Sequence, residues 1–211
     1  MENSLDYYSK LYVLDKNIST NCHNYIPGYS QLFDGVREKV TTMLEIGIGS
    51  VENHQMGGAN GYLVGLGYKT GNSLRCWRDY FPHATIYGID LYHHNIVETR
   101  IVTLQADQSS DADLTRIANT INNPIHIIID DGSHIGEHQA FSFMFLEKYL
   151  AHDGIYVIED IQPNNIEKFK DLSIFPAEYK SYIENKYNVT YFDTRHVINR
   201  ADDFMVAFTR K

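Results

Sequence analysis

Two clusters of ionisable residues follow apolar segments of this 211-residue chain. The segment IHIIIDDGSH contains Asp130, Asp131 and His134, and the segment GIYVIED ends in Glu159 and Asp160. Carboxylates that meet at one place repel one another, so they either take up protons or bind a cation. Oxygen ligands suit a hard divalent ion such as Mg²⁺, Mn²⁺ or Ca²⁺. We therefore predict a metal site at Asp131, Glu159 and Asp160, with Asp130 in a supporting role.

A structural role for these residues stays open, because Asp131 or Ser133 could cap a helix that begins near Ile135. His134 and His138 are four residues apart, a spacing that also occurs in zinc sites, but neither an HExxH motif nor a nearby cysteine supports zinc. Histidine beside a metal suits a general base, since an imidazole titrates near neutral pH. We predict His134 as the catalytic base, with simple hydrogen bonding as the alternative, and His138 as a polar surface residue.

The order of apolar and amphipathic segments predicts the fold that positions these clusters. Strand-like and helical patterns alternate through TMLEIGIG, SLRCWRDYF, ATIYGID, RIVTLQAD, DLTRIANTI, IHIIID, EHQAFSFMFLEKYL and GIYVIED. Strands that are apolar on both faces are typical of a parallel sheet with helices on both faces. The segments NVTYFDTR and DDFMVAFTR predict an antiparallel pair at one edge. We therefore predict an α/β fold with about seven strands, whose ligands bind beyond the carboxyl ends of the parallel strands.

The length of the chain limits the number of domains, and its net charge limits the classes of partner. The length suits a single domain, which we divide into an N-terminal cap region of helices and loops (1–40) and a Rossmann-like core (41–211). The net charge of −9 is unfavourable for gripping phosphate backbones, so we expect no nucleic-acid partner. We expect a cytoplasmic protein without a membrane span, because no leader pattern or long apolar run is present. Cys22 and Cys76 lack metal or disulfide spacing and are expected to be idle thiols.

The first two strand ends suit a nucleoside. LEIGIGS supplies Glu45, Gly47 and Gly49, and glycines at a strand-to-loop turn let the backbone approach a ligand closely. A GxG pair alone is also typical of plain turn geometry. Asp90 ends the next strand, where a carboxylate accepts hydrogen bonds from ribose hydroxyls. The combination is therefore more informative than either strand end alone.

The third strand end adds Asp107 and Gln108, polar groups suited to an adenine edge. No third glycine completes a GxGxxG motif, which argues against a diphosphate seated on a helix N-terminus. An adenosine ligand without a diphosphate is favoured, and S-adenosylmethionine is the leading candidate. The long loop from Val51 to Thr70 is read as a lid, a cofactor contact or a subunit contact, and these alternatives stay open.

The quoted motifs resemble a known family. LEIGIGS, GNSLRCWRDYFPHATIYGID, ADQSS, IIIDDGSH and GIYVIEDIQ resemble the class I S-adenosylmethionine-dependent sugar O-methyltransferases of the macrocin and mycinamicin type. LDKNISTNCHNYIPGYSQLF is similar to the segment that precedes the core there, a DK pair followed by H-x-Y-x-x-x-Y, here His23, Tyr25 and Tyr29. The likeness covers about residues 10 to 165. The long loop after Gly49 departs from the family and leaves the acceptor open.

The resemblance implies a seven-stranded, Rossmann-like class I methyltransferase fold, S-adenosylmethionine and Mg²⁺ (or Mn²⁺) as cofactors, and methylation of a hydroxyl in carbohydrate biosynthesis. The acceptor is expected to be a sugar, nucleotide sugar or glycoside, and homo-oligomerisation is left open. The implied metal ligands are Asp131, Glu159 and Asp160, with His134 as the base. The expected cofactor-binding residues are Glu45, Gly47, Gly49, Ser73, Asp90, Asp107 and Gln108.

The resulting hypothesis is that a metal ion chelates two neighbouring hydroxyls and lowers the pKa of one of them, while His134 removes its proton. A catechol-type O-methyltransferase is the nearest alternative, since vicinal hydroxyls on an aromatic ring offer the same chelate. An NAD- or nucleotide-linked Rossmann enzyme and a non-catalytic adenosine-binding module are the others. The segment DTRHVINRADD, with Arg195, His196 and Arg200, is expected to be a solvated turn, with substrate binding as the alternative.

Overall fold

The computed structural model describes residues 3–51 and 62–211. Strands within these residues form one seven-stranded sheet. In chain order they are β1 (Thr42–Ile46), β2 (Thr85–Asp90), β3 (Ile101–Gln105), β4 (Ile125–Asp130), β5 (Leu150–Ile158), β6 (Tyr187–Asp193) and β7 (Phe204–Arg210). The spatial order is β3-β2-β1-β4-β5-β7-β6.

The first five strands run parallel, and β7 lies antiparallel to both β5 and β6. This confirms the predicted parallel sheet with an antiparallel closing pair. The strand order reverses between β1 and β4, which is where an open α/β sheet leaves a crevice for ligands.

Helices cover both faces of the sheet, as predicted. The described helices are α1 (Leu5–Leu11), α2 (Ile26–Phe33), α3 (Tyr62–Gly65), α4 (Asn72–Tyr80), α5 (Asp111–Ile121), α6 (Gly136–Leu146), α7 (Ile166–Lys170), α8 (Ala177–Lys186) and α9 (Arg195–Ile198). One apolar core joins the sheet to α5, α6, α7 and α8, and a second joins it to α1, α2 and α4. Burial on both faces explains why the parallel strands read as almost continuous apolar runs.

Local chemistry fixes the bounds of α5. Ser110 accepts a hydrogen bond from the backbone N–H of Asp113, as a side-chain cap at a helix start does. The helix ends where Asn122 adopts a left-handed conformation with a φ of 47°. Its buried residues, Leu114, Ile117 and Ile121, recur at the spacing of one helix face.

The N-terminal segment folds over the carboxyl edge of the sheet. Backbone N–H groups of His23 and Tyr25 donate to the carbonyls of Asp15 (2.9 Å) and Lys16 (3.0 Å). Helix α2 follows directly, and its Tyr29 is fully buried. The DK pair is therefore held beside the H-x-Y-x-x-x-Y motif. The proposed division of the chain at residue 40 stays a prediction.

The strand register brings the predicted site residues to one edge. Asp130 at the end of β4 pairs with Ile46 of β1 on one side and with Ile158 of β5 on the other. The residues that follow these three strands therefore emerge next to one another. In the residues that the structure describes, no helix has the length and apolar character needed to cross a membrane.

Candidate metal and cofactor site

Three side chains beyond β4 and β5 converge on one point. Asp131, His134 and Asp160 each offer a ligand atom within 4.8 Å of the others. Asp160 is buried, whereas Asp131 and His134 are partly exposed. Two carboxylate groups and an imidazole form a donor set that divalent ions accept. The Nδ1 atom of His134 is buried and has no hydrogen-bond partner in residues 3–51 and 62–211. The site therefore fits a divalent ion.

The backbone at this site is strained in a way that aims the side chains. His134 and Asp160 both adopt left-handed conformations, with φ values of 56° and 51°. Such conformations are uncommon outside glycine and persist where the surrounding structure enforces them, frequently at functional sites. Gly47 of β1's turn has a φ of 88°, and a Cβ atom there would overlap the carbonyl oxygen of Asp131. Gly47 therefore lets two strand ends approach closely.

Glu159 lies outside this three-residue set. Its side chain is 1% exposed and receives hydrogen bonds from the Lys16 ammonium at 2.8 Å and from the Tyr29 hydroxyl. Lys16 also forms an ion pair with Asp131. Both Glu159 oxygens therefore have donors from the N-terminal segment. The expectation that Glu159 is a third metal ligand stays a prediction.

The N-terminal motif also contacts Asp160. The Tyr25 hydroxyl donates to Asp160 Oδ1 at 2.6 Å, and His23 Nδ1 lies 3.3 Å from the same oxygen. His23 Nδ1 is also 3.2 Å from Asp203 Oδ1, and the rings of His23 and Tyr25 stack with centroids 4.9 Å apart. The motif quoted for the family resemblance therefore lines the carboxylate cluster.

Burial and crowding perturb the ionisation of this cluster. Burial raises the pKa of Glu159 well above its usual value, against the opposing effect of Lys16, and it also raises the pKa of Asp160, against the effect of His23. Burial by itself would lower the pKa of Lys16, but the carboxylates of Asp131 and Glu159 outweigh it and raise that pKa. The ammonium is therefore charged, and a further cation would relieve the remaining repulsion.

Helix capping does not explain the acidic residues after β4. Helix α6 has Ile135 at its N-cap, and within the described part of the chain no side chain caps it. The Ser133 hydroxyl lies 3.1 Å from His138 Nδ1 and accepts the N–H of Ile135 at 3.4 Å, a contact before the helix rather than a cap. His138 is half-buried. The geometry thus favours the metal interpretation of Asp131 over its capping alternative.

Asp130 anchors the loop that carries Asp131 and His134. It is fully buried and accepts hydrogen bonds from the Gln108 amide at 3.1 Å and from the Ser142 hydroxyl at 2.5 Å. The Gln108 carbonyl oxygen in turn accepts the backbone N–H of Ser133 at 2.6 Å. Burial raises the pKa of Asp130 to about 6. The expected contact of Gln108 with adenine stays a prediction, since both ends of its amide already have protein partners.

Glu45 at the end of β1 is buried, and no ion pair to it is formed within residues 3–51 and 62–211. Its oxygens accept hydrogen bonds from the Ser73 hydroxyl at 2.6 Å and from the Trp77 indole N–H at 3.0 Å. Burial raises the pKa of Glu45 to about 7. Both partners belong to α4, so this carboxylate joins the first strand to the helix expected to border the cofactor.

Asp90 connects the turns after β1 and β2. Its carboxylate accepts the backbone N–H of Ile48 at 3.0 Å and of Tyr92 at 2.9 Å. Gly49, in the same turn after β1, has a φ of 69°. Asp107, after β3, accepts the backbone and hydroxyl donors of Ser109 at 2.8 and 2.7 Å, and these lower its pKa. Glu45, Gly47, Gly49, Asp90, Asp107 and Gln108 thus lie at three successive strand ends, whereas Ser73 lies in α4. Their binding of a cofactor stays a prediction.

A cavity of about 620 Å³ lies at the loop after β2, and the described part of its lining includes none of the residues predicted to bind the cofactor. Its nearest link to them is His94, whose Nε2 atom is 3.6 Å from Asp90 Oδ1. Its described lining comes from the turn after β1, the loop before α4 and the loop after β2, and includes Val51, Tyr68, Arg75, His94 and Ile96. The Tyr68 hydroxyl reaches the carbonyls of Ile48 and Gly49, both at 3.4 Å. This places the last part of the long loop against the expected cofactor turn. Residues 52–61 of that loop, and the roles considered for them, lie outside the described residues.

The described lining of a smaller cavity, of about 360 Å³, consists of Pro163, Asp193, Arg195, His196, Asn199, Arg200 and Ala201. The segment expected to be a solvated turn contains the short helix α9, and Arg195, His196 and Arg200 all line this cavity. The Tyr25 hydroxyl lies 2.6 Å from Asp160 Oδ1 and 3.1 Å from the carbonyl oxygen of Asp202, the residue that follows Ala201 of the cavity lining. The cavity therefore neighbours the carboxylate cluster.

Comparisons with known proteins agree with this architecture. No protein-family model matches the chain. Over 143 residues it is 38% identical to the 8-demethyl-8-alpha-L-rhamnosyl tetracenomycin-C 2'-O-methyltransferase of Streptomyces olivaceus, a match that covers 66% of this chain and 34% of the relative. Over 140 residues it is 38% identical to the mycinamicin VI 2''-O-methyltransferase of Micromonospora griseorubida. This match covers 66% of the chain and 32% of the relative. The chain thus spans about a third of the length of these curated relatives.

Among solved structures, the chain resembles the MycE methyltransferase from the mycinamycin biosynthetic pathway in complex with Mg, SAH and mycinamycin VI. The TM-score is 0.73 at 25% identity, over 98% of this chain and 53% of that chain. MycE in complex with Mg and SAH gives the same TM-score at 26% identity, over 98% and 54%. The chain is therefore a relative of the sugar O-methyltransferases of the mycinamicin and macrocin type and has their class I, Rossmann-like methyltransferase fold.

Proposed function

We propose that this chain is an S-adenosylmethionine-dependent, divalent-metal-dependent O-methyltransferase that acts on a hydroxyl of a sugar or glycoside. The observation that carries the proposal is the convergence of Asp131, His134 and Asp160 at the sheet edge where Gly47 and Asp90 form the expected cofactor turn. Relatives named as sugar O-methyltransferases support it. The cofactor and acceptor sides would then meet at the carboxyl ends of β1, β4 and β5.

The 620 Å³ cavity has room for the cofactor, although the residues expected to bind it are not among the described lining. Its volume lies in the range of small-molecule sites, about 300–1,000 Å³. Asp90 already accepts two backbone donors, and a carboxylate has further lone pairs for ribose hydroxyls. When bound, S-adenosylmethionine would supply the methyl group as a sulfonium. The role of the residues around it is to fix the position of that group, because methyl transfer requires close alignment with the accepting oxygen.

The metal site would hold the acceptor. Asp131, Asp160 and the imidazole of His134 fit a divalent ion, Mg²⁺ or Mn²⁺, and Glu159 would join them only if it left Lys16. A bound divalent ion would supply charge that stabilises an alkoxide and orients a chelating pair of hydroxyls. An ion pair with Lys16 positions the carboxylate of Asp131, and a hydrogen bond from Tyr25 positions that of Asp160. Both contacts come from the N-terminal segment.

His134 is proposed as the proton acceptor. Its Nε2 atom lies 3.8 Å from Asp160 Oδ2, and the imidazole side chain is 35% exposed, so an acceptor can approach it. General-base help of this kind contributes about 10²- to 10⁴-fold in rate. His134 is also close enough to serve as a metal ligand, and the experiments below separate the two roles.

The 360 Å³ cavity is the proposed acceptor side. Its described lining is polar, with Asp193, Asn199 and Arg200 among its residues, and such groups suit the hydroxyls of a carbohydrate. Mycinamicin VI, the glycoside named for one relative, is one compound for a panel of acceptors. Free sugars, nucleotide sugars and catechols complete the panel.

The test is transfer of a labelled methyl group from S-adenosylmethionine to that panel, with Mg²⁺ and with EDTA. We expect a methylated glycoside only in the presence of the metal. Methylation of the catechols alone would overturn the sugar assignment. A chain that binds neither S-adenosylhomocysteine nor a divalent ion would overturn the proposal as a whole.

A further inference from the structure

Lys16 is a buried lysine in the centre of the carboxylate cluster. It is 1% exposed, and its Nζ atom forms an ion pair with Asp131, lies 2.8 Å from Glu159 Oε2 and lies 3.9 Å from Asp15 Oδ1. Lysine is almost never fully buried unless its charge is paired. No role follows for Lys16 from the motifs that identified the metal and cofactor residues.

The backbone around Lys16 fixes its position. Its carbonyl oxygen accepts the Tyr25 N–H at 3.0 Å, and the N–H of Asn17 donates to the Leu14 carbonyl at 3.1 Å. The Asn17 side chain donates to Ser9 Oγ at 2.6 Å and accepts the Ser19 N–H at 2.8 Å. The lysine thus projects from an ordered loop, so its contact with the carboxylates is built into the fold.

The charges of the cluster explain why a cation belongs there. Asp131, Glu159 and Asp160 follow neighbouring strands, and buried carboxylates without a compensating charge are costly. Lys16 contacts two of these three side chains directly. It therefore holds together residues that would otherwise repel one another.

We propose that Lys16 is an internal counter-cation that keeps the metal ligands in place before a divalent ion binds, and that the ion competes with Lys16 for the Asp131 carboxylate. The inference rests on the proposed function only in that a divalent ion binds at Asp131, His134 and Asp160. Asp131 is the shared residue, since it belongs to this set and to the Lys16 ion pair.

Electrostatics gives the sign of the coupling. A charge of +1 repels a charge of +2, and at a separation of about 5 Å this repulsion changes a binding constant about tenfold even at the dielectric constant of water. Removing the Lys16 charge should therefore strengthen divalent-ion binding, and it should lower the stability of the protein without the ion. A lysine that served only to orient the ligands would have the opposite effect on binding.

The experiment compares Mn²⁺ binding to the full chain and to Lys16→Met by calorimetry after removal of metal with EDTA. The matched control is Lys10→Met, which removes an exposed lysine paired with Asp6 at 2.7 Å on the neighbouring helix α1. We expect Lys16→Met to bind Mn²⁺ about tenfold tighter or more, and Lys10→Met to bind like the wild type. Binding to Lys16→Met that is unchanged or weaker overturns the inference.

Because Lys16→Met could fail to fold without metal, a second measurement uses the wild-type protein. Reductive methylation of Lys16 is followed by mass spectrometry with EDTA and with saturating Mn²⁺, and Lys10 serves as the internal reference. We expect Lys16 to be protected in EDTA and several-fold more reactive with Mn²⁺. Equal protection in both conditions overturns the competition. Neither measurement uses methyl transfer, so a failure of the enzymatic proposal would be recognised separately.

Discussion

The carboxylate of Glu45 should reduce the stability of the fold above neutral pH. It is fully buried, and among the described residues its hydrogen-bond donors are the neutral Ser73 and Trp77, while Lys16 acts on it from a greater distance. Burial raises its pKa from 4.5 to about 7. The native state therefore holds a proton over a pH range in which the unfolded chain has released it. Glu45→Gln keeps the shape and a hydrogen-bonding group while it removes this titration.

Proton linkage gives the sign and size of the effect of Glu45 on the free energy of unfolding. Between pH 4.5 and about pH 7 the native state binds more protons at Glu45 than the unfolded state does, so this residue makes the free energy of unfolding fall as the pH rises. The difference between 4.5 and about 7 corresponds to about 3 kcal/mol at full effect. The free energy of unfolding of Glu45→Gln, relative to that of the wild type, should therefore rise by about 3 kcal/mol from pH 4.5 to pH 8.

The assay is urea unfolding of both proteins at several pH values in EDTA. Glu98→Gln is the control of opposite sign, because Arg75 and Arg78 overcome the effect of burial and hold the pKa of Glu98 below its usual value. Its stabilising contribution is present above the unfolded-state pKa and is lost in acid. A stability difference between wild type and Glu45→Gln that stays constant with pH would refute the reasoning. S-adenosylhomocysteine should bind Glu45→Gln more weakly if the carboxylate also serves the cofactor.

Three further variants test the site. Asp131→Asn should weaken Mn²⁺ binding at least about tenfold, since a ligand carboxylate is lost, while S-adenosylhomocysteine affinity measured by calorimetry stays within about twofold. His134→Gln should slow methyl transfer about 10²- to 10⁴-fold at neutral pH; a rate equal to that of the wild type would remove His134 from the base role, and lost Mn²⁺ binding would make it a ligand. Gly47→Ala should lower the free energy of unfolding by about 1–3 kcal/mol, because the backbone is left-handed there and the new methyl group would overlap Asp131. Gly35→Ala is the control. Its new methyl group would meet nothing within 4 Å, so it should unfold thermally like the wild type.

The sheet could be predicted because its strands are buried on both faces. The run Ile125–Asp130 reads as strand since almost every residue meets a helix layer, and the alternating pattern of Tyr187–Asp193 marks the edge strand. The sequence pattern does not predict helix α8, because among its ten residues only Ile183 is buried and no apolar stripe identifies it. Tertiary contacts rather than local pattern position such a helix.

The strand ends gave the predicted metal and cofactor residues, but not the partners that complete the site. Lys16 lies 115 residues from Asp131 and 143 residues from Glu159 in sequence, so spacing carries no sign of either contact. The DK pair and the H-x-Y-x-x-x-Y motif are the sequence signal of these contacts, and they carry it only through the family resemblance. The sequence does not show that Gln108 is engaged, because its links to Asp130 and Ser133 join the loop after β3 to the end of β4 and the loop that follows it.

The most direct test of the central claim is methyl transfer from S-adenosylmethionine to a glycoside, measured in wild type and Asp131→Asn with Mg²⁺ and with EDTA. The account predicts transfer by the wild type with Mg²⁺, loss of transfer in EDTA, and no appreciable transfer by Asp131→Asn even though it still binds S-adenosylhomocysteine. Transfer that continues in EDTA, or that proceeds normally in Asp131→Asn, would contradict it.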